Sequence, residues 1–163
     1  MHMLTVIGLV MMGQLTSLTY VGALSSELRS PARVTVGPNG TVFVTDLFAD
    51  HIARFDSSGN FLGSWAVPEG PIGVAAHPDG RYFVSLRDLG KVAIYDAAFT
   101  RTGFLGQGNP QVTFVGPTDI AIANNTGNIY VVDPEGDRVY GFAPNGSLLV
   151  AFGTRGSGNR QFR

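Results

Sequence analysis

Residues Gly116–Gly153 read GPTDIAIANNTGNIYVVDPEGDRVYGFAPNGSLLVAFG. A proline, Pro117, opens the stretch, and the short alternating run of Ile120 and Ile122 follows. The turn Asn125-Thr126-Gly127 leads to a second apolar run, Asn128–Val132. A loop precedes a third, Val139–Phe142, and Asn145-Gly146 turns the chain into a last run ending at Phe152. Glycine after Asn or Asp supplies the positive φ that tight hairpins need. Period-two alternation between such turns reads as four short antiparallel strands.

The same plan occurs twice upstream. Ser30–Trp65 reads SPARVTVGPNGTVFVTDLFADHIARFDSSGNFLGSW, and Gly70–Gly106 reads GPIGVAAHPDGRYFVSLRDLGKVAIYDAAFTRTGFLG. The leading prolines Pro31, Pro71 and Pro117 stand 40 and 46 residues apart, and the turn glycines Gly40, Gly80 and Gly127 stand 40 and 47 apart. A period in the low forties fits one four-stranded blade per repeat. The predicted strands are Thr41–Thr45 and Ile52–Phe55 in the first unit and Arg81–Ser85 and Val92–Tyr95 in the second. No 3.6-residue period appears after residue 30. The expected class is all-β: a partial β-propeller of antiparallel four-stranded blades at about 30–65, 70–106 and 116–153, within a repeat region 18–163.

The pattern resembles the NHL repeat family. The carrying residues are Val44-Thr45-Asp46, Asp50–Phe55 and Gly59-Asn60-Phe61 in the first unit, and Val131-Val132-Asp133, Asp137–Phe142 and Gly146 in the third. The tail from Phe152-Gly153 to Gln161-Phe162 looks like the family's linker into a further repeat. The second unit departs, with Leu86 where the family has Asp and with Ala97–Thr102 read as a lengthened last turn. The resemblance implies a ring of about six blades, of which this chain carries about half. Two expectations follow: a piece of a longer protein, or half-rings that self-associate, since open sheet edges invite pairing. One propeller scaffold hosts unrelated activities, so the resemblance points to a fold before a function.

Residues 1–17 form an apolar segment whose densest part is Leu4–Met12. It has the apolar core of a signal peptide, and Val21-Gly22-Ala23 suits cleavage, but no basic residue precedes it. Gln14, Thr16, Ser17 and Thr19 dilute it below a membrane helix. Leu18–Gly22 also resembles Leu149–Gly153, so a final strand competes for the same residues. The expectation is an extracytoplasmic or secreted protein, with membrane contact only through residues 1–23 if these are retained; a soluble cytoplasmic protein is the other reading.

Eleven basic and twelve acidic residues leave a net charge of −1, and Lys91 is the single lysine. Nucleic-acid binding usually needs a positive excess, so the balance argues against that partner. The cluster Arg155, Arg160 and Arg163 reads as a solvated loop. The absence of cysteine excludes thiolate metal sites, disulfides and Cys nucleophiles.

Three residues stand out for loop-face binding: Asp46, His77 and Asp133. Asp46 and Asp133 end the second strand of their units, where a carboxylate either meets a ligand or accepts N–H groups of the following turn. Their recurrence favours the second role. His77 precedes the turn Pro78-Asp79-Gly80, and His51 lies in the repeat motif; two histidines do not make a three-ligand zinc site. Glu69, Asp119, Glu135 and Asn124 carry oxygen ligands of the calcium type, but no spacing groups them. The Asn-x-Ser/Thr matches at Asn39, Asn124 and Asn145 all fall on tight turns that want Asn. Gly153–Gly158 lacks the strand–helix context of a dinucleotide loop. No catalytic residue, metal ligand or cofactor site is evident. The expected function is a scaffold that binds a protein or small ligand through its blade loops. The alternative is a metal-dependent lyase or lactonase completed by further blades.

Overall fold

The computed structural model describes residues 28–159, 161 and 162. The apolar segment 1–17, the strand reading of residues 18–22, Arg160 and Arg163 lie outside the described residues.

Among the described residues, twelve strands form three antiparallel sheets in simple sequence order. Blade 1 contains β1 (Pro31–Val36), β2 (Val42–Asp46), β3 (His51–Phe55) and β4 (Phe61–Ala66). Blade 2 contains β5 (Pro71–Ala76), β6 (Tyr82–Leu86), β7 (Lys91–Tyr95) and β8 (Arg101–Phe104). Blade 3 contains β9 (Asp119–Ile122), β10 (Ile129–Asp133), β11 (Arg138–Phe142) and β12 (Leu148–Phe152). The first strands β1, β5 and β9 run side by side and form the inner edge. The first-strand hairpins and the third-strand hairpins lie at one end of the sheets. The loops between second and third strands lie at the other.

Register equates the blades position by position. Val34 faces Val44, Val74 faces Val84 and Ile120 faces Val131. Alternate residues then point to opposite neighbours, as a pleat requires. Phe43, Ile52 and Trp65 of blade 1 pack onto Val74, Val84, Ala93 and Tyr95 of blade 2. Phe83, Val92 and Leu105 of blade 2 pack onto Ile120, Val131, Tyr140 and Phe142 of blade 3. Each blade thus has a leading face, turned to its predecessor, and a trailing face, turned to its successor. The core lies between blades rather than within one.

The lengthened turn expected at Ala97–Thr102 is not there. Phe99 N–H donates to Asp96 O at 3.0 Å, just as Gly59 N–H donates to Asp56 O at 3.0 Å in blade 1. The two turns are the same size. What differs is the occupant of the left-handed position: Phe99 has φ +61, where Gly59 has +87 and Gly146 has +87. The extra residues of the second unit instead lie between β8 and β9. There the long connection packs Phe114 against Tyr140, with ring centroids 4.9 Å apart. Tyr140 also donates its hydroxyl to Thr113 O at 2.9 Å.

Candidate functional site

Asp46 and Asp133 close β2 and β10 at the loop end, and both are fully buried. Asp46 accepts backbone N–H groups from Arg29 at 2.5 Å and Ser30 at 2.7 Å. Asp133 accepts from Val115 and Gly116, both at 2.8 Å, and from Gly136 at 3.2 Å. The partners therefore lie mainly before the first strand of the same blade, not in the following turn as the sequence suggests; only Gly136 is in that turn. Each carboxylate ties the incoming chain to the sheet. At the matching place in blade 2, Leu86 is buried among apolar side chains.

His77 stands at the opposite, hairpin end, so the three candidates do not converge. It is 6% exposed, and its Nε2 donates to Gly127 O of blade 3 at 2.9 Å. Its Nδ1 lies 2.7 Å from Asp79 Oδ1. Arg81 binds Asp79 through Nε at 2.9 Å and also reaches Pro144 O of blade 3. His77 and Arg81 act as struts between blades 2 and 3.

Burial works against the charge on Asp79, but hydrogen bonds from Arg81 and His77 and the nearby guanidinium hold its carboxyl at about 2. That lies below the unfolded value of about 3.9. Its stabilising contribution is therefore fully present above about pH 4 and lost as pH falls through about 2. The side chain is 42% exposed, so screening keeps the contribution below about 1 kcal/mol. Asp79→Asn is expected to flatten the decline of the urea midpoint from pH 4 to 2. An acid limb identical to wild type would contradict this assignment.

A second set of polar groups joins the blades near the loop end. Thr45 hydroxyl donates to Ile72 O of blade 2 at 2.8 Å and accepts Arg33 N–H at 3.0 Å. Ser85 repeats this one blade later, donating to Thr118 O at 3.1 Å and accepting Gly73 N–H at 2.7 Å. Both hydroxyls serve a first strand whose register shifts, between Pro31 and Arg33 and between Pro71 and Gly73. Gly73 is needed there, because a Cβ would stand 2.6 Å from Thr118 O. The signal of this pair in the sequence is a hydroxyl at one repeat position in two units.

The concave side of the three inner strands forms an open cleft of about 660 Å³. It is lined by Thr35–Pro38 of blade 1, Ala75, Ala76 and Pro78 of blade 2, and Ile120–Ile122 and Asn124 of blade 3. None of these side chains is ionisable. β1, β5 and β9 are inner edge strands, so one row of backbone N–H and C=O groups on each is unpaired by its sheet and faces the cleft.

The remaining carboxylates are dispersed. Glu69 pairs with Arg101, Glu135 with Arg87, and Asp119 with Arg33 at 3.8 Å. His51 contacts Ala49 O through Nδ1 at 3.2 Å. Among the described residues, no three His, Asp or Glu side chains gather in a metal-binding group. Also among these residues, no helix is long and apolar enough to cross a membrane.

No protein-family model matches the chain, and no curated protein matches it. Solved structures do resemble it. A streptogramin B lyase superposes with a TM-score of 0.63 at 21% identity, over 84% of this chain and 45% of that one. A catalytically inactive virginiamycin B lyase from Staphylococcus aureus, solved with quinupristin, gives 0.61 at 18% identity, over 80% and 43%. The hydrazine synthase of Kuenenia stuttgartiensis gives 0.65 at 18% identity, over 83% and 39%. The chain spans less than half the length of each. At these identities the likeness is one of fold: three successive blades of a β-propeller.

Proposed function

We propose that this chain is an NHL-type propeller scaffold that holds a protein segment or small ligand against its inner-strand cleft. The observation that carries the reading is the lining of that cleft. Exposed strand edges and uncharged side chains offer hydrogen bonds and shape, and none of the lining side chains is ionisable. Concave sites with a few polar groups on a rigid frame suit recognition. The near-neutral charge disfavours nucleic acid as the partner. Asp46, His77 and Asp133 serve in this reading as braces that shape the frame, rather than as ligand contacts.

Chemical-shift mapping with a fragment library tests it. Amide shifts are expected at Thr35, Ala76 and Ala121, and tryptophan in place of the exposed Ala121 is expected to abolish them while the rest of the spectrum persists. Shifts confined to the loop-end residues Asp50, Asp88 and Gly136 would move the site to the opposite end. Metal-dependent cleavage of quinupristin, the compound held by one of the lyase neighbours, would replace the scaffold reading with the lyase one.

A further inference from the structure

The register of the inner strands singles out one row of residues. Arg33 faces Thr45, Gly73 faces Ser85 and Asp119 faces Val132. One position thus carries a cation in blade 1, no side chain in blade 2 and an anion in blade 3. Arg33 Nη1 lies 3.8 Å from Asp119 Oδ2, so the pair reaches past the intervening blade 2. The row borders the cleft at its loop end, because Thr35, Ala75 and Ile120, one or two residues further along the same strands, belong to the lining.

This pair is unlike the other arginine–carboxylate pairs among the described residues. Arg81, Arg87 and Arg101 each donate hydrogen bonds to the carboxylate they meet. Arg33 and Asp119 stand beyond hydrogen-bond distance, and their side chains are 48% and 56% exposed. Such a pair is weakly held in water, so both charges stay available to a ligand.

We infer that this row is a subsite for the head of a zwitterionic α-amino acid, whose uncharged side chain lies in the cleft. The carboxylate takes the guanidinium fork of Arg33, which suits two parallel hydrogen bonds, and the ammonium takes Asp119. The inference rests on the cleft being a ligand site and names the ligand class. A lone anion drawn to Arg33 is repelled by Asp119, and a lone cation drawn to Asp119 is repelled by Arg33. A ligand with both charges on one carbon meets neither penalty, since the four charges then alternate in sign around a closed ring. A peptide does not fit this head site, because its ammonium and carboxylate lie at opposite ends. No ionisable side chain lines the cleft beyond the row, so a charged ligand side chain would be desolvated there without a partner. Aliphatic neighbours such as Val36 and Ile122 complete the preference for an apolar one.

Chemical-shift mapping of the full chain with L-leucine tests it, with the neutral members of the fragment library as the control for the cleft. L-leucine is expected to move the amides of Arg33, Gly73 and Asp119 together with those of Thr35, Ala76 and Ala121. N-acetyl-L-leucine, which lacks the ammonium, and L-leucinamide, which lacks the carboxylate, are each expected to bind about 10-fold more weakly or worse, the loss of one charge-assisted contact. Arg33→Gln and Asp119→Asn are each expected to weaken L-leucine to the same extent. Both side chains are exposed, so the amide spectra of the two variants are expected to keep the dispersion of the folded chain. Either analogue binding as tightly as L-leucine overturns the inference, as does unchanged L-leucine affinity in either variant. Neutral fragments that move the cleft amides where L-leucine moves none overturn the inference and leave the cleft reading standing. Silence from both overturns the two together.

Discussion

Asp133→Ala is expected to be the most destabilising single polar substitution in the described fold. The carboxylate is fully buried and accepts three backbone N–H groups. Alanine leaves those donors without their carboxylate partner. Each unsatisfied buried donor costs about 1–3 kcal/mol, so the loss is expected at about 3–5 kcal/mol. For a domain of this size that lowers the melting temperature by roughly 10 °C. Asp133→Asn grades the effect. One oxygen still accepts from Gly116 and Gly136, while an amide NH₂ opposes the Val115 N–H, so an intermediate loss is expected. Denaturant melts of the three proteins decide it. A ligand-binding aspartate on an exposed rim would give Asp133→Ala the stability of wild type, and that result would refute the bracing role.

Trp65→Ala is expected to cost a similar amount for an apolar reason. The indole sits between blades 1 and 2 at 8% exposure. It stacks on Phe99 at 4.6 Å and touches Phe43, Tyr82 and Tyr95 at 6.2, 5.6 and 6.3 Å. Truncating a buried aromatic to alanine costs about 3–5 kcal/mol, the lost transfer energy plus a cavity. Its buried N–H has no partner among the described residues, so Trp65→Phe is expected to cost much less. Phe99 explains why this cluster is worth its strain. A non-glycine residue in the left-handed region costs about 1–2 kcal/mol. In exchange its ring enters the blade junction, stacked on Trp65 and covered by the Arg54 guanidinium at 4.3 Å. Trp65 and Phe99 are therefore expected to couple in a double-mutant cycle by about 0.5–1.5 kcal/mol. Additive losses, or a Trp65→Ala protein as stable as wild type, would show that the junction is held elsewhere.

The blade plan was legible in the sequence because it is local. Proline, alternating run, Asn-Gly or Asp-Gly turn and second run follow one another within a few residues, and hairpin geometry then sets register with little help from the rest of the chain. The predicted strand cores Ile52–Phe55, Val92–Tyr95 and Val139–Phe142 each lie inside an observed strand that begins one residue earlier. Repetition at about forty residues gave the blade count for the same reason. The repeat also marked Asp46 and Asp133 as bracing carboxylates, although it assigned their partners to the wrong side.

Contacts between blades were not legible. The sequence could not say that Thr45 meets Ile72, that His77 reaches Gly127, or that Phe99 enters a junction formed by blade 1, since these partners are 27 to 50 residues or a whole blade away. The cleft is harder still to read from residue types, because its recognisable feature is unpaired backbone, which every residue carries. Sequence by itself determined the hairpins and their repetition, where the physics is turn geometry and period-two burial. Tertiary structure alone decided which faces meet, which polar groups serve as struts and where the inner edges line an open cleft, because those follow from the packing of one finished blade on another.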